Sequence, residues 1–353
     1  MSHQVSYSKL FTPPKFLERP AVSLEIQPKY ISFLLTKNTN KGLVPDIYGR
    51  VPLPKETIAL GEIVKKEPII KALIEIRKKT KVSFVRLSLP EQKTYIFKTH
   101  LPNLEDKEIR DILDFKIEEN VPLSAKEAVF DYDILPSPKV SGLDVVVSVT
   151  SLEVVEEWQN IFALASLTPI LFSPESNNVA KAVIKNSNEQ VVVIVNIKEN
   201  TIILSLVISS IVCQTSSLNF GASTFTDLLA KYFKVTFEEA VKIKREKLYQ
   251  DNSDNLEIFS YLINTMSAIK DEIYKFVSYC NEREDVVSQV DKIILCGPDS
   301  LIFGFDKHLS LNLNLRVEVA NIWINNFDLN TYIPEISKVD SEDLAVVNGL
   351  NLI

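Results

Sequence analysis

Glycine is scarce in this chain: 8 residues of 353, where an average domain carries about 7%. Few backbone positions can therefore take a positive φ or let a phosphate come close to peptide N–H groups. Cysteine is scarcer still. Cys213, Cys280 and Cys296 lie far apart among apolar neighbours. That excludes a disulfide framework and paired thiolate ligands, and leaves buried free thiols, as in a reducing compartment. The histidines His3, His100 and His308 stand singly and form no metal constellation. No apolar run is long enough to span a bilayer. The most apolar stretch, Thr201–Cys213, is about half the ~20 residues required, and its β-branched content marks a buried strand. Met1–Arg19 is polar, carries Pro13-Pro14 and lacks the apolar core of a signal peptide. The expectation is a protein neither secreted nor membrane-spanning. Base is not in excess: 39 Lys and Arg meet 46 Asp and Glu, a net charge of -7. That disfavours a dedicated nucleic-acid binder.

What remains is globular. Hydrophobic residues make up 46% and charged residues 24%, and the length calls for two lobes rather than one core. Ala21–Ile26, Tyr30–Thr36 and Gly42–Pro52 read as three strands, followed by a helix at about Pro68–Lys79 with Ile69, Ile70, Leu73, Ile74 and Ile76 on its apolar face. The same order returns at Gln190–Val195, Thr201–Ile208, Ile211–Leu218 and a helix from Ala222 to Phe233. A duplicated β-β-β-α unit is the ground plan of the actin, Hsp70 and sugar-kinase superfamily.

Between the copies, Tyr95–Thr168 reads βαββα, compact enough to be an inserted subdomain. Its first helix is expected to start at Asn103, with Glu105 and Asp106 in the first turn. Pro136-Ser137-Pro138 marks a hairpin loop, and Thr150–Glu153 a capping box for the second helix. After the second copy come a capping box at Thr236–Glu239, a helix to about Tyr249, an unbroken helix at roughly Asp254–Asn281, and strands at Lys292–Cys296 and Leu315–Val319. The boundaries read as an arm over 1–20, a first lobe over 21–94 and 169–188, the insertion over 95–168, and a second lobe over 189–353 with a helical part at about 234–290.

The order of these words resembles the PilM family of type IV pilus assembly proteins from about Ala21 onward. Leu101-Pro102-Asn103-Leu104 with Glu108-Ile109, Glu118–Leu123, Val129–Leu135, Thr236–Ala240 with Lys244, and Glu272-Ile273 carry the likeness. The resemblance implies an α/β, actin-like (RNase H-like duplicated) two-lobed fold. It also implies a cytoplasmic protein, peripheral at the inner membrane, that binds the N-terminal tail of a PilN-like membrane protein in a groove between the first lobe and the insertion. Phe115, Glu118 and Pro122 are the expected groove neighbours. Motor ATPases and self-association into a ring are further expected contacts. Membrane contact is expected to be indirect, because Asn348–Ile353 is too short and insufficiently basic for the amphipathic helix of FtsA.

The family's phosphate turns read Asp-Ile-Gly. The first stands as Glu25-Ile26-Gln27 followed by Pro28, the second as Asn196-Ile197-Lys198, and the adenosine-site run as Cys296-Gly297-Pro298. Glu25, Gln27, Asn196, Lys198 and Gly297 are thus vestigial positions. A phosphate turn needs close N–H groups and a carboxylate for magnesium. The expectation is no catalytic residue, no metal and no bound cofactor, with ATP and magnesium the minority case. An active ATPase using Glu25, and a membrane-binding FtsA-like division scaffold, stay open as alternatives. Glu118-Glu119 and Glu238-Glu239 read as solvated helix faces, as do Lys242, Lys244, Arg245 and Lys247. Arg77-Lys78-Lys79 reads as a cationic helix end. Leu10, Phe11, Phe16 and Leu17 in the arm read as docking on the protein's own sheet or on a neighbouring subunit.

Overall fold

The computed structural model describes residues 19–352, apart from 60, 103, 105, 137–141, 187–189, 251–254 and 283–288. The apolar arm residues, the Asn103 cap with Glu105, and the tip of the proline loop lie outside the described residues.

The first half runs β1 (Ala21–Ile26), β2 (Tyr30–Thr39), β3 (Gly42–Pro52), a small hairpin β4 (Ile58–Ala59) and β5 (Glu62–Ile63), α1 (Lys66–Thr80) and β6 (Phe84–Leu89). Then come β7 (Thr94–Leu101), α2 (Asp106–Asn120), β8 (Ala128–Leu135), β9 (Leu143–Ser151), α3 (Leu152–Leu164), β10 (Thr168–Pro174) and α4 (Glu175–Val183). The second half runs β11 (Val191–Ile197), β12 (Ile202–Ile208), β13 (Ile211–Leu218), α5 (Ala222–Phe233), α6 (Phe237–Ile243), α7 (Leu256–Glu282) and β14 (Lys292–Cys296). It closes with α8 (Phe305–Leu313), β15 (Arg316–Val319), α9 (Lys338–Glu342) and α10 (Ala345–Gly349).

The duplication is visible in the ladders. One sheet has the order β10-β6-β1-β2-β3 and the other the equivalent β15-β14-β11-β12-β13. In each, the first strand of the unit runs antiparallel to the next and parallel to the strand that follows the helices. The central strand β11 is buried along its whole length, as a strand with both faces covered must be. Val191, Val193, Val195 and Ile197 enter one core and Val192 and Ile194 another. Strand alternation thus divides one apolar run between two cores. The helix α7 contributes Leu262, Met266, Ile269, Ile273 and Phe276 to the first of these, a stripe at helical spacing. All three cysteines are buried, and none of them is in a disulfide.

The inserted sheet has the order β7-β9-β8. Val145, Val147 and Val149 of β9 pack under Ile109, Leu113 and Ile117 of α2. On the opposite face Val146 meets Leu135 and Cys213 of β13. The helix α3, expected to close the insertion, packs elsewhere. Its Trp158, Ile161 and Phe162 lie in one core with Leu24, Leu73 and Leu87 of the first lobe. Its cap also differs from the expected box. Ser151 is the N-cap and accepts from the Glu153 amide at 3.2 Å, while the Thr150 hydroxyl donates to the Lys93 carbonyl at 2.8 Å. Thr150 pairs with Thr94 across the β7–β9 ladder and is still strand.

The lobes meet over a core of their own, where Leu34 and Val44 of the first sheet join Val192 and Ile194 of the second through α4 and α10. Gly349 permits this crossing: a Cβ on it would stand 1.7 Å from the Asn178 carbonyl oxygen. Asn178 is fully buried, accepts from Ser173 Oγ at 2.7 Å and donates to Ser88 Oγ at 3.0 Å.

Candidate functional site

The turns β1–β2 and β11–β12 face each other across a cleft that encloses a cavity of about 240 Å³. All five positions that the resemblance singles out line it: Glu25, Gln27, Asn196, Lys198 and Gly297. Sequence positions as distant as 25 and 297 therefore converge as the resemblance implies.

Their arrangement is self-satisfied. Lys198 Nζ lies 3.1 Å from Glu25 Oε1 and 2.7 Å from Glu175. Gln27 Nε2 donates to Glu25 at 2.8 Å, and Asn196 Nδ2 to Glu175 at 3.3 Å. Burial pushes the Glu175 carboxyl up to about 7, with Lys198 opposing and Glu25 reinforcing the shift. Burial opposes the charge of Lys198, but Glu175 and Glu25 outweigh it and hold the ammonium above the ordinary lysine range. The cause in both is one ammonium shared by two carboxylates in a poorly solvated place.

Four backbone donors of the cleft are taken up too. The Gln27 amide donates to the Tyr30 carbonyl at 2.9 Å and the Lys198 amide to Thr201 at 2.9 Å, closing the two hairpins. At the start of α5, the Ala222 and Ser223 amides each donate at 2.8 Å, to the carbonyls of Lys198 and Glu199. The helix end that would attract an anion is capped by the hairpin itself. Gly221 allows that approach, since a Cβ there would lie 2.4 Å from the Lys198 carbonyl. Gly297 has φ +88, and its Cβ would lie 2.3 Å from the Ile197 carbonyl. Gly297 thus serves the close packing of two chain segments.

The wall around Lys244 is paired in the same way. Lys244, 5% exposed, holds Asp299 at 2.9 Å, with the Thr226 hydroxyl at 2.9 Å and the Ala222 carbonyl at 3.1 Å. The Tyr249 hydroxyl donates to Asp299, and burial followed by that carboxylate raises its pKa. Arg50 meets Asp343 at 2.5 Å and stacks 4.4 Å from the centre of the Tyr30 ring. Lys29 pairs with Glu199 across the cleft, and Arg245 with Asp340. A magnesium nucleotide, which the fold implies, does not fit these residues as they stand. An ammonium takes the place between the carboxylates, and carbonyls take the amides of Gln27, Lys198, Ala222 and Ser223.

Several of these residues escape sequence reasoning. Glu175 opens α4, where an acid reads as an ordinary partner of the helix dipole. Lys244 was expected on a solvated basic face and is buried. The segment Lys244–Leu248 is a wider π-helical turn, so the four bases do not share one face. The box at Thr236 forms as expected, with Glu239 accepting from the Thr236 amide at 2.9 Å.

A second hollow, of about 390 Å³, opens between the insertion and the first lobe. Val129 and Asp131 of β8 form one side, Ile170 and Phe172 of β10 the other, and Val155 of α3 contributes the floor. Among the described residues, β8 and β10 are each the last strand of their ladder. The β10 register shifts between Pro169 and Leu171, skipping Ile170. An edge bulge of this kind re-aims a side chain, and Ile170 is 46% exposed. Phe115, Glu118 and Pro122 are all exposed, and none of them lines this groove. The helix α2 that carries the first two covers one face of the inserted sheet, whereas the groove follows its β8 edge. Glu118 accepts instead from the Ala125 amide at 3.0 Å.

The chain matches the family model described as type IV pilus assembly protein PilM over residues 24–352. It belongs to that family. Among solved structures, it resembles a chain of a PilM–PilN type IV pilus biogenesis complex at 17% identity and TM-score 0.73, covering 94% of this chain and 98% of that one. It is also similar to MreB5 of Spiroplasma citri, solved with ADP, at 14% identity and TM-score 0.57, covering 94% and 95% of the two chains. The ethanolamine utilization protein EutJ from Carboxydothermus hydrogenoformans follows at 15% identity and TM-score 0.55, covering 97% and 90%. At these identities the likeness is one of fold, and the fold is actin-like. A sequence comparison with curated proteins gives no match. Among the described residues no helix is long and apolar enough to cross a membrane.

Proposed function

We propose that this PilM-family pilus assembly protein is an adaptor without ATP hydrolysis. It captures the N-terminal tail of a PilN-like membrane protein and so sits at the cytoplasmic face of the inner membrane. The groove between β8 and β10 carries the reading. Among the described residues it offers a strand edge without a ladder partner on each side, and apolar anchors in Val129, Ile170 and Phe172, the equipment for holding an extended peptide by main-chain bonds and alternate side chains. The solved complex that this chain resembles joins a PilM to a PilN. The paired cleft supports the absence of hydrolysis: Lys198 stands where phosphate and metal would need room.

Titration of a peptide from the N-terminus of a PilN-like protein into the pure chain tests the adaptor role. Saturable binding in the micromolar range is expected. No binding at hundreds of micromolar, by a protein that melts cooperatively, overturns it.

A further inference from the structure

We propose that Lys198 is a tethered cation that replaces the divalent metal of the cleft and holds the two lobes closed without nucleotide. The inference rests on the nucleotide-free reading of the cleft and deepens it. Glu25 is the last residue but one of β1 in the first sheet, Glu175 opens the helix α4 that passes between the lobes, and Lys198 reaches both from a hairpin of the second sheet. Three separate elements therefore meet at one ammonium nitrogen. Two carboxylates drawn to a point are the protein's usual share of a magnesium site, the remaining positions going to water and phosphate. The amides of Gln27 and Asn196 orient the two carboxylates, at 2.8 and 3.3 Å, as outer partners orient metal ligands.

The tether itself is rigidly placed. The Lys198 backbone is clamped on both sides, its N–H on Thr201 and its carbonyl on Ala222. A lysine anchored in this way does not dissociate, so the bridge between the lobes needs no bound ion. Lys29 with Glu199 and Arg50 with Asp343 add two further pairs around the same cleft. Removal of the Lys198 ammonium leaves two buried carboxylates facing each other, an arrangement that a divalent ion relieves.

The test compares thermal melting of the wild type, Lys198→Ala, and a triple variant, Glu25→Gln with Glu175→Gln and Lys198→Met, each with and without manganese chloride. The wild type should not respond to manganese. Lys198→Ala should melt lower, by on the order of 5 °C or more, and manganese should raise its midpoint. The triple variant, lacking the carboxylates, should not respond. Lys198→Gln carries the same comparison if the alanine variant does not fold. An alanine variant that melts with the wild type overturns the proposal. So does one that ignores manganese, or a triple variant that responds equally. Magnesium ATP added to the wild type judges the underlying reading separately: a raised midpoint overturns the nucleotide-free cleft, whatever manganese does to the variants.

Discussion

Replacement of Glu342 by glutamine should flatten the pH dependence of stability. This carboxyl ends α9 in the cleft wall, is 4% exposed, and its Oε2 has no hydrogen-bond partner among the described residues. Burial pushes its pKa from the ordinary 4.5 to about 8, against the Gly297 N–H, Lys338 and Cys296, with Asp343 adding to the rise. The folded chain therefore keeps a proton that the unfolded chain has lost, and stability falls as pH rises from about 4.5 to about 8. Full linkage amounts to about 1.4 kcal/mol per pH unit, a ceiling of roughly 5 kcal/mol over that window. Relaxation around the charged form reduces this, and at least about 1 kcal/mol should survive. Glu175 has a slope of the same sign, but it is complete by about pH 7. Between about pH 7 and pH 8 the wild type should lose stability where Glu342→Gln does not. Urea unfolding at a series of pH values measures the difference. Parallel curves for the two proteins would refute the argument.

Three further outcomes are expected. Gly349→Val should lower stability by about 3 kcal/mol or more, because its Cβ would stand 1.7 Å from the Asn178 carbonyl and the α4–α10 crossing must open; an unchanged urea midpoint would contradict this. Lys244→Met should cost about 3–5 kcal/mol by stranding Asp299, which is 1% exposed, read by the same denaturation. Ile170→Asp should weaken tail binding at least about tenfold by removing a hot-spot anchor while leaving the melting temperature unmoved, since the side chain is 46% exposed. Calorimetric titration separates that outcome from a merely structural effect.

The duplicated plan was legible because it is written in local periodicity. The boundaries of β13 and α5 fall where alternation and helical spacing place them, at Ile211–Leu218 and Ala222–Phe233. The convergence of Glu25, Gln27, Asn196, Lys198 and Gly297 was legible only through resemblance, since nothing local joins residues so far apart. An amphipathic stripe such as Trp158, Ile161 and Phe162 states that α3 buries a face; it does not state which core receives it. Phe115, Glu118 and Pro122 adjoin the insertion's β8 edge in chain order, and periodicity alone does not state whether a helix covers a face of its sheet, as α2 does, or runs along its edge.

The sequence by itself determined the repeated β-β-β-α units, the scarcity of glycine and the burial of the apolar runs, all properties of composition and of neighbouring residues. Tertiary structure alone decided which charges meet. Lys198 finds Glu175 and Glu25, Lys244 finds Asp299, and Lys29 finds Glu199. Most of these pairs join elements remote in the chain, and Lys198 and Glu175, 23 residues apart, sit on neighbouring elements whose meeting no local pattern fixes. An isolated lysine or glutamate reads as a solvated residue until packing removes its water and leaves one partner in reach.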